Sequence, residues 1–260
     1  MKKTIVILLF TLSFLMLFLS SCDTSTFDTA NESGYSLEYE LNKDGVSYAV
    51  TGYDYDSYFN QPTEVVVPDT YNGLPVTKIG ESAFFSQGKI EKIVLPEGIT
   101  LIGAGAFKSC SALKEINLSQ NLETIYEEAF RNCYSLDISL HFENKIYIGD
   151  MAFSDCSKIK SVYFGDARID YRAFEDCKSL TKLTLKSGSI HERAFSFAAL
   201  EEVNLGKGVY FLGTYCFVGC EDLYYINYDG TSKEWWEIET ETFWSSGENY
   251  TIRFSDGTSF

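Results

Sequence analysis

From Ile79 onward the apolar positions repeat as Ile-Gly-x-x-Ala-Phe-x-x-Cys-x-x-Leu-x-x-Ile-x-Leu. The clearest copies run from Ile102-Gly103 through Ala106-Phe107, Cys110, Leu113, Ile116 and Leu118, and from Ile148-Gly149 through Ala152-Phe153, Cys156, Ile159, Val162 and Phe164. Others start at Ile79, Ile125, Ile169, Ile190 and Leu212, and the marker rings are Phe84, Phe107, Phe130, Phe153, Phe174, Phe195 and Phe217. Steps of 21 to 23 residues between seven markers identify a tandem repeat. Within each copy the Leu-x-x-Ile-x-Leu part has strand spacing, with apolar side chains inward and the intervening ones outward. The Ala-Phe-x-x-Cys-x-x-Leu part has the spacing of a pair of short helical or 3₁₀ turns.

One copy alone cannot bury its apolar face, whereas stacked copies share a continuous core. The pattern therefore predicts a solenoid, with a parallel strand ladder on one face and short turns on the other. At about 4.8 Å per coil it would be roughly 30 to 35 Å long. An open stack needs both ends covered. The alternating Val46, Tyr48 and Val50 before the repeats, and the segment after Tyr228, are read as β-rich caps. Gln87 and Ala198 replace the repeat cysteine, and the third copy reads as one residue short between Leu136 and Ile138, which predicts a bulged or shifted strand.

Ile-Gly-x-x-Ala-Phe, with Cys following at a fixed step, resembles the leucine-rich repeats of the BspA type. The resemblance covers about residues 45–260. It extends to Val65-Val66-Val67-Pro68 and Tyr71-Asn72-Gly73-Leu74-Pro75-Val76 on one flank, and to Tyr228-Asp229-Gly230-Thr231, Trp235-Trp236 and Tyr250–Thr258 on the other. It implies a leucine-rich-repeat solenoid on a surface-exposed protein that binds host proteins, matrix components or other microbes.

The other apolar stretch is the run from Thr4 to Leu19, preceded by Lys2 and Lys3, which has the form of a signal peptide. It is shorter than the roughly 20 residues needed to span a bilayer. It ends in Leu19-Ser20-Ser21-Cys22, which resembles a bacterial lipobox and implies cleavage before Cys22 and lipidation of its thiol. The polar stretch to Ser36 then reads as a flexible tether. The resulting organisation is a signal peptide (1–21), a lipidated tether (22–36), an N-terminal β cap (37–78), seven repeats (79–228) and a C-terminal cap (229–260). The expected location is the bacterial cell envelope, outside the cytoplasm, with membrane attachment through Cys22.

The formal charge of −16 argues against nucleic acid as a partner. Five cysteines share one repeat position and Cys216 replaces the alanine before Phe217, without a Cys-x-x-Cys pair or nearby histidines. A buried apolar ladder explains them better than a metal site or disulfides. The two histidines, His141 and His191, accompany no nucleophile motif, so no catalytic residues, metal ligands or cofactor are assigned. Glu127-Glu128 and Glu201-Glu202 fall at solvent-facing positions, and Asp54-Tyr55-Asp56 lacks the rest of a calcium loop.

The eighteen tyrosines suit a recognition surface. Period-2 counting places Glu115, Asn117, Ser161, Tyr163, Lys182, Thr184, Glu202, Asn204, Tyr225 and Asn227 on the outer face of the strands, as one continuous band and the candidate binding face. A cap loop around Tyr53, Tyr55 and Tyr58 is the competing location, because scaffolds often carry recognition on loops. The leading function is a binding or adhesion module for a surface protein, a matrix component or a glycan. A glycan-processing enzyme would need two convergent carboxyls in a cleft. A structural envelope component would present an unbroken apolar face.

Overall fold

A computed structural model describes residues 34–55, 61–244 and 250–260, together with the backbone of Thr26 and Phe27. The proposed signal peptide, most of the tether, Cys22 and Tyr58 lie outside the described residues.

The repeats stack coil on coil, and each coil contributes two strand segments where the sequence pattern suggested one. The first comprises the Ile-x-Leu residues and the second the residues just before the Ile-Gly pair. In the early coils the two are separate strands: β4 (Glu64–Val66), β7 (Lys92–Val94) and β9 (Glu115–Ile116) form one parallel ladder. The second ladder is built by β3 (Tyr48–Tyr55), β6 (Leu74–Ile79), β8 (Leu101–Ile102) and β10 (Thr124–Ile125). Pro96, which has no N–H to give a ladder, lies in the loop that separates β7 from β8. From the third repeat on, the segments fuse into β11 (Leu140–Ile148), β12 (Ser161–Ile169), β13 (Lys182–Ile190) and β14 (Glu202–Leu212), paired in parallel.

The third repeat corrects the sequence reading. Leu140 pairs with Val162 and Phe142 with Phe164, so these residues, and not Ile138, hold the inward strand positions. Three residues lie between Leu136 and Leu140 where two lie between Ile159 and Val162. The repeat has gained a residue, and the strand is shifted as expected but in the opposite sense. The first ladder is interrupted there: β9 pairs with β7, and β11 begins the next run with β12.

On the opposite side, the marker phenylalanines are buried in a single stack. Neighbouring ring centroids are 5.3, 5.0, 5.0, 5.1, 5.1 and 6.0 Å apart from Phe84 to Phe217. Short i to i+3 hydrogen bonds shape each turn, for example from Cys110 N to Phe107 O and from Leu113 N to Cys110 O. Residues two before and two after each marker adopt positive φ, among them Met151 (54°), Asp155 (63°), Arg172 (53°) and Asp176 (58°). Such angles disfavour side chains. They recur because they aim alternate N–H groups at the next coil: Met151 N donates to Tyr171 O, Phe153 N to Ala173 O and Asp155 N to Glu175 O.

The N-terminal cap is a hairpin of β2 (Tyr35–Leu41) with β3, edged by β1 (Thr26–Phe27), and β5 (Thr70–Tyr71) pairs with β6. At the other end β15 (Tyr225–Tyr228) extends the first ladder, and α1 (Ser232–Trp235) begins with a Thr231 capping box. β16 (Glu239–Thr240) pairs with β14, and β17 (Thr251–Phe254) closes the ladder against β15. The chain then folds back so that Ile252 and Phe260 exchange backbone hydrogen bonds and cover the last edge.

Candidate functional site

The strand register sorts the sequence-proposed face residues into two rows. Ser161, Lys182, Glu202 and Tyr225 are directly adjacent in the first, which Thr251 continues. Tyr163, Thr184, Asn204 and Asn227 are adjacent in the second, which runs from His141 to Arg253. Glu115 and Asn117 stand apart, across the break between β9 and β11, so the band is not continuous. The Asn117 amide is engaged sideways, accepting from Leu95 N and donating to Leu95 O, both at 2.7 Å. Thr184 is only 8% exposed and forms the floor of its row instead of a contact surface.

Neighbouring side chains hold this face rigid. His141 stacks on Tyr163 with centroids 4.4 Å apart, and Glu143 takes hydrogen bonds from both at 2.9 and 3.2 Å. Asn227 donates to Asn204 at 2.9 Å, and Asn204 donates to Glu202 at 2.7 Å. That bond and the Lys182 ammonium at 3.1 Å hold the Glu202 carboxyl below its usual range. The Arg253 guanidinium lies 3.3 Å from the centre of the Tyr225 ring. Tyr163, Lys182, Glu202, Asn204, Asn227 and Arg253, together with Lys186, Asp229 and Ser255, line an open depression of about 470 Å³. His141 and Arg253 were not singled out as face residues from the sequence, because the shifted third repeat and the cap hid their register.

Tyr53 and Tyr55 lie on β3, not on a loop. Tyr53 packs 5.5 Å from Phe84 and between Tyr35 and Tyr55, and burial pushes its hydroxyl up to about 12. It belongs to the cap's core.

A second cluster, which the sequence reading missed, sits on the other ladder. Asp170, with a side chain 10% exposed, receives the Tyr147 hydroxyl at 2.7 Å and the Arg168 guanidinium at 2.8 and 3.3 Å. His191 Nε2 lies 3.6 Å from Asp170 and 3.1 Å from the Ser189 hydroxyl. Burial holds the His191 imidazole below its usual value, and burial together with the Asp170 bond raises the Tyr147 phenol. Although Ser, His and Asp are all present, Ser189 and Asp170 meet the same imidazole nitrogen. A nucleophilic triad needs the serine on one nitrogen and the carboxylate on the other.

The carboxylate pairs are engaged elsewhere: Glu128 bonds Lys108 and Arg131, and Glu202 bonds Lys182 and Asn204. The thiols of Cys110, Cys133, Cys156, Cys177 and Cys220 are buried, and each donates to the carbonyl of an earlier marker phenylalanine at 3.0 to 3.3 Å. Burial pushes the Cys110, Cys156, Cys177 and Cys216 thiols well up. Among the described residues no group of three or more His, Cys, Asp or Glu is placed to hold a metal ion, and no helix is long and apolar enough to cross a membrane.

Comparison with functionally curated proteins gives no match. Among solved structures, a T. pallidum leucine-rich repeat protein is 26% identical over 75% of this chain and 91% of its own, with a TM-score of 0.60. A leucine-rich cell surface protein from Faecalibacterium prausnitzii superposes with a TM-score of 0.64 at 23% identity, over 92% of this chain and 61% of its own. The second likeness shows the fold alone. The model of the BspA type leucine-rich repeat region matches residues 77–189 and 166–259, in six copies. With most of its length accounted for by these repeats, the chain belongs to the BspA-type leucine-rich repeat family.

Proposed function

We propose that the protein is a lipid-anchored binding module of the bacterial cell envelope, docking a partner protein on the outer face of β11–β15 and β17. Repeat proteins of this family bind through broad surfaces built from stacked coils. Envelope display is supported by the Leu19-Ser20-Ser21-Cys22 motif and by the cell-surface description of the Faecalibacterium prausnitzii protein. The observation that carries the docking face is the pair of in-register rows whose side chains are already fixed to one another, from His141 on Tyr163 to Arg253 on Tyr225. Groups immobilised before contact lose little entropy on binding. Tyrosine and arginine dominate the energetics of such interfaces. A surface or matrix protein suits this mixed polar and aromatic face.

The test is binding of the whole chain to an array of matrix and cell-surface proteins, repeated with Tyr163→Ala and Tyr225→Ala. Each substitution should weaken the interaction by more than about 1 kcal/mol, whereas Glu115→Ala, across the ladder break, should leave it unchanged. Full binding by the double tyrosine variant would place the contact elsewhere. Cys22→Ala should abolish metabolic lipid labelling and release the protein from membranes. Its retention after a high-salt wash would refute the anchor.

A further inference from the structure

The glycine of the Ile-Gly pair lies close against the preceding coil. A Cβ built on Gly103, Gly149 or Gly213 lies 2.7 Å from the backbone of the preceding coil, closer than real contacts allow. Three repeats nevertheless carry side chains at this position: Tyr126, Asp170 and His191. The coils stay paired there: Tyr126, Asp170 and His191 donate their backbone N–H to the preceding coil at 2.8 to 2.9 Å, as Gly103, Gly149 and Gly213 do at 2.8 Å. Departures from a repeat's own rule concentrate where function needs them.

Two of the three are neighbours. Asp170 and His191 occupy adjacent coils, and Asp170 orients Tyr147 and Arg168 with three hydrogen bonds. The third, Tyr126, meets the Tyr147 ring edge-on at 6.3 Å. Tyr147 and Arg168 in turn form one wall of a groove of about 750 Å³, which runs back over Thr100, Gln120, Asn121, Glu123, Asn144 and Lys145. This volume is in the range of small-ligand sites, about 300 to 1,000 Å³.

The groove's chemistry is that of a hydroxyl-rich ligand. Gln120, Asn121 and Asn144 spend their amide N–H groups on the backbone carbonyls of His141, Glu97 and Gln120. Their amide oxygens are left as acceptors, beside the Glu123 carboxylate. Lys145, exposed two residues before Tyr147 on β11, and Arg168 supply donors. Tyr147 offers a flat ring held by its hydroxyl. Fixed acceptors, two cations and an aromatic plane match the alternating hydroxyl and C–H faces of a pyranose.

We infer that this groove binds an oligosaccharide, with Asp170 positioning Tyr147 and Arg168 against the sugar. It lies on the second ladder, distinct from the face proposed for a protein partner, so either site can fail without the other.

The experiment is calorimetric titration of the whole chain with cellohexaose, chitohexaose and hexagalacturonic acid, the last reading the contribution of Lys145 and Arg168. At least one should bind. The double variant Asp170→Gly with His191→Gly restores the glycine found in other repeats. It should lower that affinity at least tenfold. Lys145→Ala, at an exposed position, gives a second reading that does not depend on refolding the cluster, and should weaken binding of the same sugar. No binding by any of the three hexasaccharides would overturn the proposal. So would unchanged affinity in both variants, or occupancy of this groove only by an extended peptide.

Discussion

Removal of one ring from the phenylalanine stack tests the central claim about what holds the coils together. Phe153 is fully buried and lies parallel between Phe130 and Phe174, with centroids 5.0 and 5.1 Å away and ring planes 4° and 7° apart. Truncating a buried phenylalanine to alanine costs about 3 to 5 kcal/mol through lost transfer energy and the cavity left behind. Each aromatic pair contributes about 0.5 to 1.5 kcal/mol beyond burial, and Phe153→Ala removes two, so its cost belongs at the upper end, about 5 kcal/mol. Phe217 has its marker neighbour on one side, at 6.0 Å and tilted by 27°, so Phe217→Ala should cost about 3 kcal/mol. At about 2 to 4 °C per kcal/mol for a chain of this size, the two variants should separate by several degrees. Urea unfolding followed by circular dichroism reads the difference directly, since the backbone ladders melt with the core. A loss below about 1 kcal/mol for Phe153→Ala, or a larger loss for Phe217→Ala, would refute the stack as the main source of cohesion.

The cysteine ladder predicts that the six thiols from Cys110 to Cys220 resist alkylation by N-ethylmaleimide in native protein and react in urea, because burial both blocks access and raises the pKa of several of them. Rapid native labelling, or stoichiometric linkage of Cys110 to Cys133 in mass spectra, would overturn the ladder. His191 predicts a loss of stability in acid. Its pKa is depressed by burial, so the folded state favours the neutral ring, and the stability present above the ordinary value of 6.5 is lost as pH falls through the folded value. Melting temperatures measured from pH 7.5 to 5 should fall, and His191→Gly should flatten the slope. An unchanged slope in that variant would assign the acid loss to other groups.

The repeat period was legible because each coil must place one ring in the same buried stack, and a substitution in that slot loses several kcal/mol. The first strand segment was legible for a related reason: Ile116, Val162 and Leu183 sit nine residues past their own markers, Val203 eight, and they alternate with polar neighbours. The second segment escaped because Leu101–Ile102 and Thr124–Ile125 are only two residues long, too short for an alternation to be seen. Ile138 misled the reading of the third repeat, since an apolar residue near the expected place mimics an inward position. Only the pairing of Leu140 with Val162 reveals that the strand starts later.

Candidate sites were harder to read than the fold because a repeat pattern records what the coils share, and recognition uses what they do not. Period-2 counting found the right rows on β12–β15, yet it could not show that Thr184 lies at the floor or that Asn117 is spent on Leu95. Tyr53 and Tyr55 read as a loop in the sequence because tyrosines clustered with aspartates resemble one, whereas the strand pairing of β3 draws Tyr53 onto Phe84. The Asp170 and His191 cluster had left a visible trace. At both positions a charged or titratable residue stands where the pattern demands glycine, and a Cβ in the other coils would meet backbone at 2.7 Å. In a solenoid the informative positions for function are therefore those where a residue shared by most other coils is missing. There the backbone pairing between coils is kept, at 2.8 to 2.9 Å, and what changes is the side chain set beside its neighbours.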